Sequence, residues 1–145
     1  MLVVAIVGVS IWSTTLSPFF LTRINLLDLI TPYVFIGLMA LGLTFVVIAG
    51  EIDISVTSIL AVSVVSFAQL LDHGLNVWVA AFAGLLVAAA LGLVNGALVA
   101  LLDLPSLAVT LGTLAAFQGL AFEILSGEGV AEFPQGYLNI GGGFP

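Results

Sequence analysis

The stretch ALGLTFVVIAGEIDISVTSILA, residues 40–61, decides how this chain folds. An apolar run ends at Gly50, the tetrad Gly50-Glu51-Ile52-Asp53 interrupts it, and a second apolar run opens at Ile54. At the centre of a bilayer each carboxylate would cost about 2.5–3.5 kcal/mol on an insertion scale. Two together would offset roughly a dozen leucines at about 0.5 kcal/mol each. The pair therefore belongs at a membrane face or in a water-lined break, and the stretch reads as helix, turn, helix. Gly50 suits the position just past a helix end, where a left-handed backbone favours glycine. Asp53 is placed to accept from the N–H of Ser55 or Val56, as an N-cap does. Two roles stay open for the acids: they cap helices, or they line a transport pathway, as acids set in apolar segments often do.

Composition extends that reading to the whole chain. Of 145 residues, 62% are hydrophobic and only 6% charged, with a mean hydropathy of +1.38. A soluble domain carries about 25% charged residues, so this is an integral membrane protein with no soluble domain. The net charge of −7 sets eight acids against one base, Arg23, which excludes nucleic-acid binding for want of a basic patch. Without cysteine there is no disulfide or thiolate chemistry. Without lysine there is no P-loop, so any nucleotide hydrolysis belongs to another chain. His73 has no second histidine or cysteine near it, and no nucleophile–base pair occurs. Neither catalysis nor a metal nor a cofactor is expected.

Apolar runs at 31–50, 54–71, 77–102 and 105–125 reach or approach the about 20 residues of a spanning helix. Residues 2–12 read as the remainder of a first span. The connections are short, so neighbours run antiparallel. The expected fold is all-α: a polytopic transmembrane bundle of about five crossings, with residues 1–145 in one membrane domain. Trp12, Tyr33 and Trp78 mark one membrane face. They group loops 13–30, 72–76 and 126–145 there, with 50–53 and 103–106 opposite.

Residues 77–102 carry the clearest packing pattern. Gly84, Ala88, Gly92, Gly96 and Ala100 recur every fourth residue and share one helix face. Such a ridge lets helices approach closely where lipid offers no hydrophobic drive. Asn95 lies beside it, with an amide suited to bonding across to a neighbour. In the next run Thr110, Thr113 and Gln118 supply two hydroxyls and an amide. These either hydrogen-bond a passing solute or, for the threonines, bond back to the preceding turn.

Three segments together resemble a known family: residues 40–61, NGALVALLDLPSLAVTLGTLAAFQGLA at 95–121, and YLNIGGG at 137–143. They are similar to bacterial ABC-importer permeases of the ribose, xylose, galactose and rhamnose group, which includes autoinducer uptake. The likeness runs from about Asn25 to Gly143 and implies the N-terminal half of a larger permease in the inner membrane. It further implies cytoplasmic ATPase subunits, a periplasmic sugar-binding protein and a second permease copy, identical or not. The cargo would be a monosaccharide, a pentose or deoxyhexose. Glu51, Asp53, Ser55, Asn95, Thr110, Thr113 and Gln118 would be its pathway or motif residues. Family topology places the N-terminus inside, and so loops 13–30, 72–76 and 126–145 in the periplasm. The sequence departs from the family pattern at Glu51 and Thr57, where glycine is usual, and at Gln118, where arginine is common. Asp103 also falls in a loop that is often basic. A secondary transporter or channel using Glu51 and Asp53 as an ion or proton site is the rival reading. A third is a small structural subunit that tolerates replacement of both acids.

Overall fold

The computed structural model describes residues 1–125, which contain five helices and no strand. These are α1 (Leu2–Leu16), α2 (Arg23–Ile48), α3 (Val56–Asp72), α4 (Val77–Ala100) and α5 (Ser106–Leu125). The expected loop 126–145 and its YLNIGGG motif lie outside the described residues. Among the described helices, α2, α4 and α5 are long and apolar enough to cross a membrane, whereas α1 and α3 are shorter, at 15 and 17 residues.

The chain divides into two units, Met1–Phe45 and Val46–Pro145. In the first, residues 13–30 are not the loop that charge and polarity suggested. α1 runs on to Leu16, and α2 opens at Arg23, leaving residues 17–22 as the connection. Polar side chains here join the helix instead of ending it. Thr14 and Thr15 donate their hydroxyls to the carbonyls of Ile11 and Trp12 (2.6 Å each). At the start of α2, the Asn25 amide donates to the Phe20 carbonyl (2.7 Å) and, just before the helix, the Thr22 hydroxyl donates to that of Phe19 (2.8 Å). Arg23 and Asp28 lower the hydropathy of this stretch, but Arg is a good helix former and the surrounding leucines offset the weaker propensity of Asp28. With 26 residues, α2 is about 39 Å long at 1.5 Å per residue, against a hydrocarbon core of about 30 Å.

The second unit is a bundle of α3, α4 and α5, in which α3 packs against both partners. Its core is Val62 with Phe117 and Ala121, flanked by Ile59, Val65, Val87 and Leu91. At the α3–α4 crossing Gly84 is buried, and a Cβ built there would lie 3.2 Å from the Ser63 carbonyl oxygen. The Ser63 hydroxyl in turn donates to the Gly84 carbonyl (2.7 Å). The amide of Gln69, near the end of α3, donates to the Ile124 carbonyl at the end of α5 (3.1 Å). Two turns of one kind shape the unit. Gly50 (φ +83°) and Gly74 (φ +80°) are left-handed. Each donates to a carbonyl three residues back while the next residue donates five back, closing a Schellman motif. α4 then starts under a cap from Asn76, whose side chain accepts from the Trp78 N–H (2.9 Å).

Candidate functional site

Between the Gly50 turn and α3, residues 51–55 are not helical. Within a membrane, such backbone is tolerated only where protein or a water-filled cavity satisfies its polar groups. Here α5 satisfies Ile52 with side chains. The Ile52 N–H donates to Ser106 Oγ (3.1 Å), and Thr110 Oγ1 donates to the Ile52 carbonyl (3.2 Å). Asp53 then closes a small turn, its Oδ1 accepting from both the backbone N–H (2.8 Å) and the hydroxyl (2.6 Å) of Ser55. Ser55, not Asp53, is the residue at the N-cap position of α3. The helix therefore begins at Val56, two residues later than the apolar pattern indicated.

Ser55 is fully buried and joins this turn to α4. Asn95 donates from Nδ2 to Ser55 Oγ (2.7 Å), so a continuous chain of hydrogen bonds runs from α4 through Ser55 to Asp53. The other amide atom, Asn95 Oδ1, is buried and has no partner. A cavity of about 520 Å³ adjoins the chain, and its lining includes Glu51, Asp53, Asn95, Asp103, Ser106 and Thr110.

Four of the seven polar residues singled out in the sequence (Glu51, Asp53, Asn95 and Thr110) thus meet in one cavity wall. Ser55 lies within the hydrogen-bond chain, outside the lining. Thr113 bonds back to the Val109 carbonyl (3.0 Å), and Gln118 is exposed; neither reaches the cavity. The ridge on α4 divides. Gly84 is the packed position, whereas Gly92, Gly96 and Ala100 line the cavity, and a Cβ at Gly92 or Gly96 would meet nothing within 4 Å. Ala88, between the two parts, is half-buried. Sequence reasoning passed over Ser106 and the site role of Asp103. Ser106 follows Pro105 at a helix start, the one local sign that its hydroxyl is free to serve another segment. Asp103 has a left-handed backbone (φ 53°), unusual for a non-glycine residue. Among the described residues no group of three His, Cys, Asp or Glu side chains is placed to hold a metal ion. The arrangement is one for hydrogen bonding and charge.

A sequence profile of the family described as "branched-chain amino acid transport system / permease component" matches residues 25–145. An L-arabinose ABC transporter permease of Azospirillum brasilense is 37% identical over 126 residues, covering 87% of this chain and 37% of that protein. A fructose import permease of Bifidobacterium longum is 42% identical over 91 residues, 63% of this chain and 26% of the relative. An autoinducer 2 import system permease of Photorhabdus luminescens is 36% identical over 97 residues, 67% and 29% of the respective chains. This chain therefore spans about a quarter to a little over a third of the relatives it resembles. No solved structure matches it. With the profile covering residues 25–145 and apolar helices able to cross a bilayer, the chain belongs to the branched-chain amino acid transport system / permease component family, as a multi-pass protein of the bacterial inner membrane.

Proposed function

We propose that this chain is the N-terminal part of the permease subunit of an ATP-binding-cassette importer that carries a monosaccharide, a pentose or deoxyhexose, across the inner membrane. The observation behind this reading is the match to permeases named for L-arabinose, fructose and autoinducer 2 import. All 145 residues belong to the transmembrane domain. Cytoplasmic ATPase subunits supply the energy, as expected of the permease component of an ABC transporter. A periplasmic sugar-binding protein delivers the cargo, and a second permease copy completes the pathway. Glu51, Asp53, Ser55, Asn95 and Thr110 form a polar edge of that pathway, with Thr113 and Gln118 further along α5. The cavity beside the non-helical residues 51–55 supports this assignment, because breaks between membrane helices that line a cavity are where transporters place binding sites.

The test is uptake of radiolabelled L-arabinose and L-leucine by cells expressing the chain with the rest of its transport system. Arabinose uptake that stops when the ATPase is inactivated supports the importer. Leucine uptake in its place would assign a branched-chain amino acid cargo, and uptake driven by an ion gradient without ATP would assign a secondary transporter.

A further inference from the structure

The two halves of α4 are held very differently. Ala80 and Gly84 are the buried residues of the first half, and a Cβ at Gly84 would lie 3.2 Å from the Ser63 carbonyl oxygen of α3. The Ser63 hydroxyl pins that crossing by donating to the Gly84 carbonyl (2.7 Å). In the second half Asn95 is the one buried residue. Among the described residues, its bond to Ser55 Oγ (2.7 Å) is the one side-chain hydrogen bond tying this half to the rest of the unit.

That tie leaves a polar group unserved. Asn95 is only 5% exposed, and its Oδ1 is buried without a partner. Asp53 enforces this arrangement. The single Ser55 hydroxyl proton goes to Asp53 Oδ1, so Ser55 can only accept from Asn95 Nδ2, and a reversed amide would set two acceptors against each other. An unmet acceptor in a dry contact raises the energy of the tied position.

The second half of α4 also has space to enter. It borders the cavity of about 520 Å³ through Gly92, Gly96 and Ala100, and a Cβ at either glycine would meet nothing within 4 Å. The end of α2 contributes Val46 and Ala49 to the same lining. Ser55 lies outside that lining, so the Asn95 bond draws α4 toward the start of α3 and away from the space. Small residues on facing helices are what close packing in a membrane requires. Glu51 and Asp103 belong to the connections and not to the helix faces that would meet.

We propose that α4 is a lid. It pivots at the Ser63–Gly84 crossing, its second half swings across the cavity to close it, and the Asn95–Ser55 hydrogen bond is the catch that holds it open. Open and closed are two discrete packings of one small-residue ridge. Closing lifts the Asn95 oxygen out of the contact in which it has no donor. The inference goes beyond the importer reading and does not depend on it, because it concerns distances within this chain.

The experiment uses the full chain in lipid nanodiscs. The chain has no cysteine, so pairs of introduced cysteines carry spin labels without background. Dipolar electron paramagnetic resonance reads one pair flanking the cavity, Ile48→Cys with Leu101→Cys, and one at the pivot, Val64→Cys with Phe82→Cys, all four at exposed positions. Asn95→Leu cuts the catch and leaves no buried amide behind. It should raise the share of a shorter cavity distance roughly fivefold or more over wild type. Adding Gly96→Leu, which puts bulk on the closing face, should return that share to the wild-type value. The pivot pair should keep a single distance throughout. Should Asn95→Leu fail to fold, Ser55→Ala cuts the same bond from its other side and takes its place. An unchanged cavity distance in the folded catch variant would overturn the lid, as would a shorter distance that survives Gly96→Leu. A pivot pair that shifts together with the cavity pair would overturn the pivot. Transport is not measured, so this result and the uptake result fail separately.

Discussion

The two ends of the α4 ridge have one sequence pattern and opposite surroundings. At Gly84 the ridge is closed: α3 lies so near that an added Cβ would stand 3.2 Å from the Ser63 carbonyl oxygen and 3.4 Å from Phe67 Cβ. At Gly92 and Gly96 it is open, with nothing within 4 Å, and the ridge becomes a cavity wall beside Asn95. Small residues thus do two jobs on one helix. At one end they admit a neighbouring backbone; at the other they leave room beside three carboxylates and an unpartnered amide oxygen.

The sharpest way to break this contrast is to fill each end in turn. Gly84→Leu should lower stability by about 1–3 kcal/mol through overpacking. Gly92→Leu should be neutral or slightly stabilising, since it gains about 1 kcal/mol of helix propensity and its Cβ would meet nothing within 4 Å. Melting of the two variants in detergent decides the matter, and equal losses would mean that the open end is occupied. The sequence pattern alone led to the reverse expectation, that Gly92 is a contact point, because a four-residue repeat reports a smooth face but not what lies on it.

The open end can be probed through its hydrogen bonds. Ser55→Ala removes the acceptor of the Asn95 amide and strands a buried polar group, a loss of about 1–3 kcal/mol. Gly50→Ala should cost about 1 kcal/mol, since its φ of +83° disfavours any side chain. Chemical denaturation in micelles measures both. A Ser55→Ala loss no larger than that of Gly50→Ala would show that water already serves Asn95. The smallest effect belongs to the closed end. Ser63→Ala deletes one interhelical hydrogen bond, worth about 0.6 kcal/mol in membrane proteins. A loss above that of Gly84→Leu would make the bond, and not the close approach, the basis of the α3–α4 crossing.

How far the sequence was legible follows the range of each interaction. Gly50 in the left-handed region and Asp53 accepting from the Ser55 N–H are local events, readable from an apolar run, a glycine and an acid. The helical character of 77–100 and 106–125 was equally open, for apolar length alone requires it. The start of α2 was not, because Arg23 and Asp28 break a hydropathy run without breaking a helix. Nor was the cavity. Its parts join Ile52 to Ser106 and Ser55 to Asn95, contacts 54 and 40 residues apart that no local pattern encodes.

The wiring of Ile52 has a dynamic consequence. Its N–H and carbonyl are held by the two α5 hydroxyls of Ser106 and Thr110 and not by a neighbouring turn. Separation of α5 from this non-helical segment therefore breaks both bonds at once, while the helical ladders on either side stay intact. The Ile52 amide is a built-in clock for that separation. Its deuterium uptake should track α5 displacement, and should outpace that of Ile59, whose N–H is secured inside the first turn of α3 by the Ser55 carbonyl (3.0 Å).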